Sequence, residues 1–265
     1  MDLTSPPIAL TVAGSDSGGG AGIQADLKTF HRFGIFGTSA VTAITAQNTL
    51  GVDAVHPVPV EIVRAQIDAV VDDLHPAAVK SGMLATAPLV RELASAITEH
   101  GLPNYVLDPV MVASSGDRLL DEDAEVAVAR HLVPLATLVT PNFHEAEILV
   151  GRPVRNAAEM EDAARRLVEL GAKAALVKGG HGGGDEVLDI LWDGKEVREW
   201  RRPRIPTRHV HGTGCTLSAA AAAGLARDLP VSEAVDRAIR FVAAAIRDAP
   251  GLGRGHGPVN HFVEI

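Results

Sequence analysis

Residues 211–218 read His-Gly-Thr-Gly-Cys-Thr-Leu-Ser. Two glycines and a thiol thus open a run of small residues that continues to Leu225. Such a run reads as a helix. Gly212 and Gly214 let the backbone turn its N–H groups toward one point, and the helix start adds its partial positive charge. Gly212, Thr213, Gly214 and Cys215 are therefore a candidate anion hole, suited to a phosphate or a developing oxyanion. Cys215 falls in the first turn, where a thiol is usually acidified. The alternative is a helix start that needs glycine to pack on a strand, with Cys215 as a small core residue.

Three further groups suit phosphate chemistry. Lys178 follows the apolar run Ala174-Ala175-Leu176-Val177 directly. A lysine at the carboxyl end of a buried strand reaches a phosphate as a point charge, or else snorkels to solvent. Asn142 and Glu145 stand three apart where a helix begins, so both face one side. One carboxylate, one amide and nearby phosphates are the sparse ligand set that Mg²⁺ accepts; the alternative is an N-cap and a dipole partner. His209 and His211 form a weaker metal candidate, lacking a third ligand.

The first glycine loop needs separate treatment. Gly20-Ala21-Gly22-Ile23-Gln24-Ala25 fits the dinucleotide fingerprint G-x-G-x-x-A. That fingerprint needs an acidic residue at the end of the next strand, where the chain has Thr45, Ala46 and Gln47. A nicotinamide cofactor is disfavoured, and no G-x-x-x-x-G-K-[ST] loop occurs.

The elements that must position these groups alternate. Ile8–Ala13, Thr38–Ala46, Ala77–Lys80, Tyr105–Leu107, Thr137–Thr140 and Ala174–Val177 read as strands. Ala21–Phe33, Glu61–Leu74, a segment capped by Thr86, another opened by Asp121-Glu122-Asp123, and one capped by Asn156 with Glu159 read as helices. Asp193-Gly194 between apolar runs in 187–200 predicts a hairpin. Helices over Thr213–Arg227 and Val231–Arg247 close the chain. Strand–helix alternation means an α/β fold: a mostly parallel central sheet with helices on both faces, plus the small antiparallel hairpin. No linker divides it, so 1–265 reads as one domain. Ligands of such sheets bind beyond the carboxyl ends of the strands. Polar and glycine residues collect there: Gly14–Gly22, Gln47-Asn48, Ser81–Met83, Asp108-Pro109, Asn142 with Glu145, and Lys178–Gly180.

Composition narrows the classes. Among 265 residues, 33 acidic and 24 basic side chains make the formal charge −9, and aromatics are 3%. Neither a phosphate-backbone footprint nor a base-stacking surface is in view, so nucleic-acid binding is disfavoured. The lone Cys215 excludes an internal disulfide and a multi-cysteine zinc site. No basic residue precedes Lys28 and no apolar run approaches the ~20 residues of a membrane span. A cytoplasmic protein is the expectation.

Residues 13–28, 45–49, 80–84, 107–111, Thr140-Pro141-Asn142 with Glu145, 177–181, 211–218 and 255–261 together resemble the hydroxymethylpyrimidine/phosphomethylpyrimidine kinases of thiamine biosynthesis, in the ribokinase-like superfamily. The resemblance spans the chain in order. It implies an ATP- and Mg²⁺-dependent kinase that phosphorylates 4-amino-5-hydroxymethyl-2-methylpyrimidine to its monophosphate and then to the diphosphate. It implies that Gly14, Asp26, Gln47, Met83 and Val110 line the pyrimidine pocket, Asp26 and Gln47 pairing with the ring nitrogens and the exocyclic amine. Asp108, Asn142 and Glu145 would organise Mg²⁺ and the ATP phosphates, with Asp108 and Glu145 as the metal carboxylates. Lys178 would neutralise the transferring phosphate, and Gly212 to Cys215 would be the anion hole. Cys215 stands where much of the superfamily has an aspartate base; the helix start and Lys178 are expected to lower its thiol pKa in the nucleotide-free protein. Family habit implies a homodimer. The alternative is pyridoxal or pyridoxine kinase, disfavoured because the flap Val112–Asp117 carries no cysteine.

Overall fold

The computed structural model describes residues 5–111, 122–180 and 184–265; the flap at 112–117 and His181 lie outside them. Among the described residues the strands are β1 (Ile8–Ser15), β2 (Phe36–Gln47), β3 (Val52–Pro57), β4 (Ala78–Ser81), β5 (Tyr105–Leu107), β6 (Leu138–Val139), β7 (Ala175–Val177), β8 (Glu186–Trp192) and β9 (Val197–Pro203). The helices are α1 (Gly22–Arg32), α2 (Val60–Leu74), α3 (Ala87–Glu99), α4 (Glu122–Ala127), α5 (Phe143–Val150), α6 (Ala157–Glu169), α7 (Thr213–Leu225) and α8 (Val231–Arg247).

One sheet runs in the order β3-β2-β1-β4-β5-β6-β7-β8-β9. Its centre, from β2 to β7, is parallel. β3 joins one edge antiparallel to β2, and the β8–β9 hairpin joins the other. Parallel strands buried on both faces need nearly continuous apolar runs, and Ala9 to Gly14 of β1 is buried throughout. Two apolar layers result. One packs α2 to α6 against Leu10, Val79 and Leu107. The other packs α1, α7 and α8 against Ala9, Ala78 and Val106.

The expected elements are present, with three differences. Thr86 stands at the N-cap of α3, but its side chain makes no capping hydrogen bond. The edge strand β3 was not expected from the sequence: five of its six residues are exposed, so it lacks the buried alternation by which a strand is read. At α6, Asn156 caps Glu159 N–H at 3.1 Å, but Glu159 reaches back to Arg155 N–H at 2.6 Å rather than to Asn156.

The small residues of α7 serve packing. Thr216 to Leu225 are all buried. At Gly224 a Cβ would stand 2.8 Å from the Ala234 Cβ, so α8 lies hard against α7. That holds the N-terminus of α7 over the carboxyl ends of β1, β4 and β5.

Candidate active site

The loop after β1 is built around one carboxylate. Asp16, 3% exposed, accepts from the N–H groups of Gly18, Gly20 and Ala21 at 2.8, 3.0 and 2.8 Å. Its Oδ2 also lies 2.8 Å from His211 Nε2. Burial works against its ionisation, yet His211 and the backbone N–H groups hold its carboxyl below the usual range. His211 is thus the clasp between this loop and the start of α7, while the His209 ring packs against Gly257. Each histidine thus has a place in the packing of this loop region. Sequence reasoning missed Asp16, whose partner His211 is 195 residues away.

His211 leads into Gly212, the left-handed N-cap of α7 at φ 83°. Thr213 N–H donates to the Val210 carbonyl at 3.2 Å, so the free donors of this first turn begin at Gly214. The N–H groups of Gly214 and Cys215 have no carbonyl one turn back. At Gly214 a Cβ would stand 3.3 Å from Lys178 Nζ and 3.8 Å from Asp108 Oδ2.

Lys178, Asp108 and Glu145 form one buried cluster. Lys178 Nζ lies 3.1 Å from Asp108 Oδ1, and Ser218 Oγ donates to Asp108 Oδ2 at 3.2 Å. Burial opposes the Asp108 charge, but Lys178, Lys80 and Ser218 hold its carboxyl below the ordinary value. Burial likewise opposes the Lys178 charge, and Asp108 and Glu145 overcome it, raising its pKa. Glu145 differs: burial pushes it up to about 7, against the pull of Lys178, with Asp108 adding to the rise. Asn142 and Glu145 also complete a reciprocal cap of α5, with Asn142 Oδ1 accepting from Glu145 N–H at 3.0 Å and Glu145 Oε2 from Asn142 N–H at 2.7 Å. The turn carrying Lys178 is fixed by Asp189, unforeseen from the sequence, which accepts from Gly179 N–H at 2.9 Å and pairs with Arg202 at 2.5 Å.

Among the described residues no three His, Cys, Asp or Glu converge as a metal cage. Mg²⁺ keeps most of its waters and needs one or two carboxylates beside substrate phosphates. Two adjacent buried carboxylates, one of them held near 7, fit that need.

Asp16, His211, Gly212 to Cys215, Asp108, Asn142, Glu145 and Lys178 all line a cavity of about 520 Å³. Gly14, Gln47, Met83 and Val110 line its β1–β2–β4 side, and the Thr45 hydroxyl lies 3.2 Å from Gln47 Oε1. At the other end Val187, Ile205, Val210, Leu217, Val242, Ala243 and Ile246 give an apolar surface, beside the charged Asp189, Arg202 and Arg204. This apolar end was not legible in the sequence, because its residues come from elements far apart in the chain.

Two expectations are corrected. Asp26 is fully buried and stands outside the lining. Its oxygens take Lys80 Nζ at 3.0 and 2.9 Å and the Thr11 hydroxyl at 2.6 Å, so it does not face the pocket to pair with a ring. The reason is its place on α1, among the sheet-facing residues Ala25, Thr29 and Phe30. The Cys215 thiol is not acidified. Burial pushes it up to about 11; Lys80 pulls it down, but Asp26 and Asp108 add to the rise. Desolvation of a thiolate outweighs the helix start here.

Comparison with known proteins agrees with this geometry. Residues 16–260 match the family model described as phosphomethylpyrimidine kinase. The chain is 52% identical over 258 residues to a hydroxymethylpyrimidine/phosphomethylpyrimidine kinase of Rhizobium meliloti, covering 96% of this chain and 97% of the relative. It is 48% identical over 255 residues to one of Bacillus subtilis, covering 96% and 94%. Among solved structures, a Bacillus subtilis pyridoxal kinase in complex with ADP superposes with a TM-score of 0.91 at 38% identity, over 97% of this chain and 98% of that one. A phosphomethylpyrimidine kinase of Clostridium difficile superposes with a TM-score of 0.81 at 40% identity, over 91% and 99%. The fold is shared by both kinds of kinase, while the family model and the near-full-length identity point one way: the chain belongs to the phosphomethylpyrimidine kinase family.

Proposed function

We propose that this chain phosphorylates the hydroxymethyl group of 4-amino-5-hydroxymethyl-2-methylpyrimidine from ATP, and then the resulting monophosphate to the diphosphate, for thiamine synthesis. One observation carries the choice of substrate: identities of 52% and 48% over nearly the whole chain to proteins named for those two activities. Pyridoxal kinases that superpose as well reach 33–38%.

The cavity supports a division of labour. Gly14, Gln47, Met83 and Val110 hold the pyrimidine, the Gln47 amide supplying donor and acceptor to the ring and its amine. The apolar end beside α8 takes the adenine. Between them the acceptor oxygen attacks the γ-phosphorus, a P–O bond forms, the bond to the bridging oxygen breaks, and ADP leaves. Phosphoryl transfer needs positioning and charge neutralisation more than covalent help. The N–H groups of Gly214 and Cys215 take oxygens of the transferring group, and Lys178 neutralises its charge. Asp108 fixes Lys178. Glu145 and Asp108 would hold Mg²⁺, which would supply charge neutralisation to the phosphates, and Asn142 fixes Glu145. A thiol held near 11 is no standing base at neutral pH. In a loose transition state the alcohol's proton can pass to an oxygen of the transferred phosphoryl group as the P–O bond forms, so the contribution assigned to Cys215 is its N–H.

We read residues 1–265 as one kinase domain, on the ground that a single sheet runs through it, and the protein as a cytoplasmic homodimer. No helix of the described residues is long and apolar enough to cross a membrane. Ile44, Leu50 and Val55 stay exposed near the β2–β3 edge, an apolar surface for a second copy.

The test is ADP release by the purified protein with ATP, Mg²⁺ and each acceptor, products weighed by mass spectrometry. Two ADP per hydroxymethylpyrimidine and one per monophosphate are expected. A higher kcat/KM for pyridoxal than for either pyrimidine would overturn the substrate assignment.

A further inference from the structure

Lys80 is a lysine with no contact with solvent, and neither local packing nor capping uses its charge. It is 0% exposed, in the short strand β4 at the centre of the sheet. Both oxygens of Asp26 grip its Nζ, at 2.9 and 3.0 Å, and Thr11 Oγ1 donates to Asp26 at 2.6 Å. Burying such a pair gives little or no net stability over apolar residues of the same size.

Lys80 is among the residues that border the cavity and Asp26 is not, although neither side chain has any exposed surface. The ammonium lies directly under Gly82: a Cβ there would stand 2.9 Å from Lys80 Nζ and 3.2 Å from the Ala13 Cβ. Gly82 adjoins Met83 of the pyrimidine side. On the other side the charge of Lys80 is felt by Cys215, in the first turn of α7, and by Asp108. The ammonium is thus beneath the span between the ring site and the anion hole, and the acceptor oxygen has to occupy that span.

Resting on the functional reading above, we propose that Lys80, aimed by Asp26 and Thr11 and given room by the missing side chain of Gly82, is the buried cation of the acceptor, and that it matters most when the acceptor is the pyrimidine monophosphate. Lys178, paired with Asp108, serves the phosphates of the nucleotide and the group in transfer. An alcohol acceptor brings no charge into the span. A monophosphate brings up to two negative charges close to the γ-phosphate, and an oriented positive group in a water-poor site offsets that repulsion without reorganising. A single pocket can then take both acceptors in succession.

Two variants test this. Lys80→Met combined with Asp26→Asn removes the pair without leaving one buried charge unpaired, and Gly82→Ala keeps both charges but pushes a methyl group against the ammonium. Thermal unfolding establishes that each variant folds, and the ATP KM establishes that the nucleotide end is intact. Binding of the monophosphate without nucleotide is measured by calorimetry. The expected result is a kcat/KM that falls at least tenfold further for the monophosphate than for the alcohol, with weaker monophosphate binding, in both variants. Should the double variant not fold, Gly82→Ala alone decides. Equal losses for the two acceptors, or none, would overturn the assignment while leaving the functional reading intact. A wild-type chain that phosphorylates neither pyrimidine would end both.

Discussion

Gly212 lies against Gly20 so closely that a Cβ on Gly212 would stand 1.8 Å from the Gly20 carbonyl oxygen. Its φ of 83° is also in the left-handed region. Gly212→Ala therefore meets a backbone wall and a strained conformation together, at a cost of about 1–3 kcal/mol. Relief requires the loop after β1 to part from α7. We expect a lower unfolding midpoint and a kcat reduced at least tenfold, read by thermal denaturation and steady-state kinetics. A variant with wild-type kcat would separate this contact from the anion hole.

Gln47 is the polar side chain assigned to the ring. Gln47→Leu leaves ring polar groups unpaired, a loss of about 1–3 kcal/mol. The pyrimidine KM should rise by roughly tenfold to a hundredfold, with the ATP KM little changed.

Lys178 should show the opposite split. Removing one preorganised charge-stabilising group typically costs about 10²–10³ in kcat. Lys178→Met is expected to lose kcat by that order and to shift the pyrimidine KM by less than about threefold. A KM effect without a kcat effect would move Lys178 from the transferring phosphate to the acceptor.

The half-buried Cys215 thiol makes a prediction that needs no variant. Its pKa is pushed up to about 11, so the thiolate fraction should climb about tenfold per pH unit between pH 7 and pH 9. Alkylation of Cys215 by iodoacetamide should follow that slope. A plateau near neutrality would show an acidified thiol and restore a general-base role for the sulfur.

His261 supplies a pH dependence of stability. It is 8% exposed, its Nε2 lies 3.0 Å from Thr216 Oγ1 in α7, and burial lowers its pKa from 6.5 to about 4. The unfolded chain therefore binds a proton that the folded chain refuses between those values. Stability present above pH 6.5 is lost as the pH falls toward 4, by at most about 3 kcal/mol at 1.36 kcal/mol per unit. Urea unfolding of His261→Gln should show a flatter profile over that window than the wild type.

The sequence by itself determined the α/β alternation, the helix over Val231–Arg247 to the residue, the hairpin around Asp193-Gly194, and the glycine-opened helix start at Gly212–Cys215. These are local matters: apolar periodicity, caps and turn residues act within a few positions of themselves. The tertiary structure decided what the charged side chains do. Asp26 and Lys80, 54 residues apart, meet inside the sheet, which removes Asp26 from the ring site it was expected to serve. Asp16 and His211 meet only because α7 is laid over β1. Cys215 shows the reason most plainly. The helix start beside it is local and favours a thiolate, but the burial that disfavours one is the work of neighbours from distant parts of the chain, and desolvation in a packed interior outweighs a helix terminus.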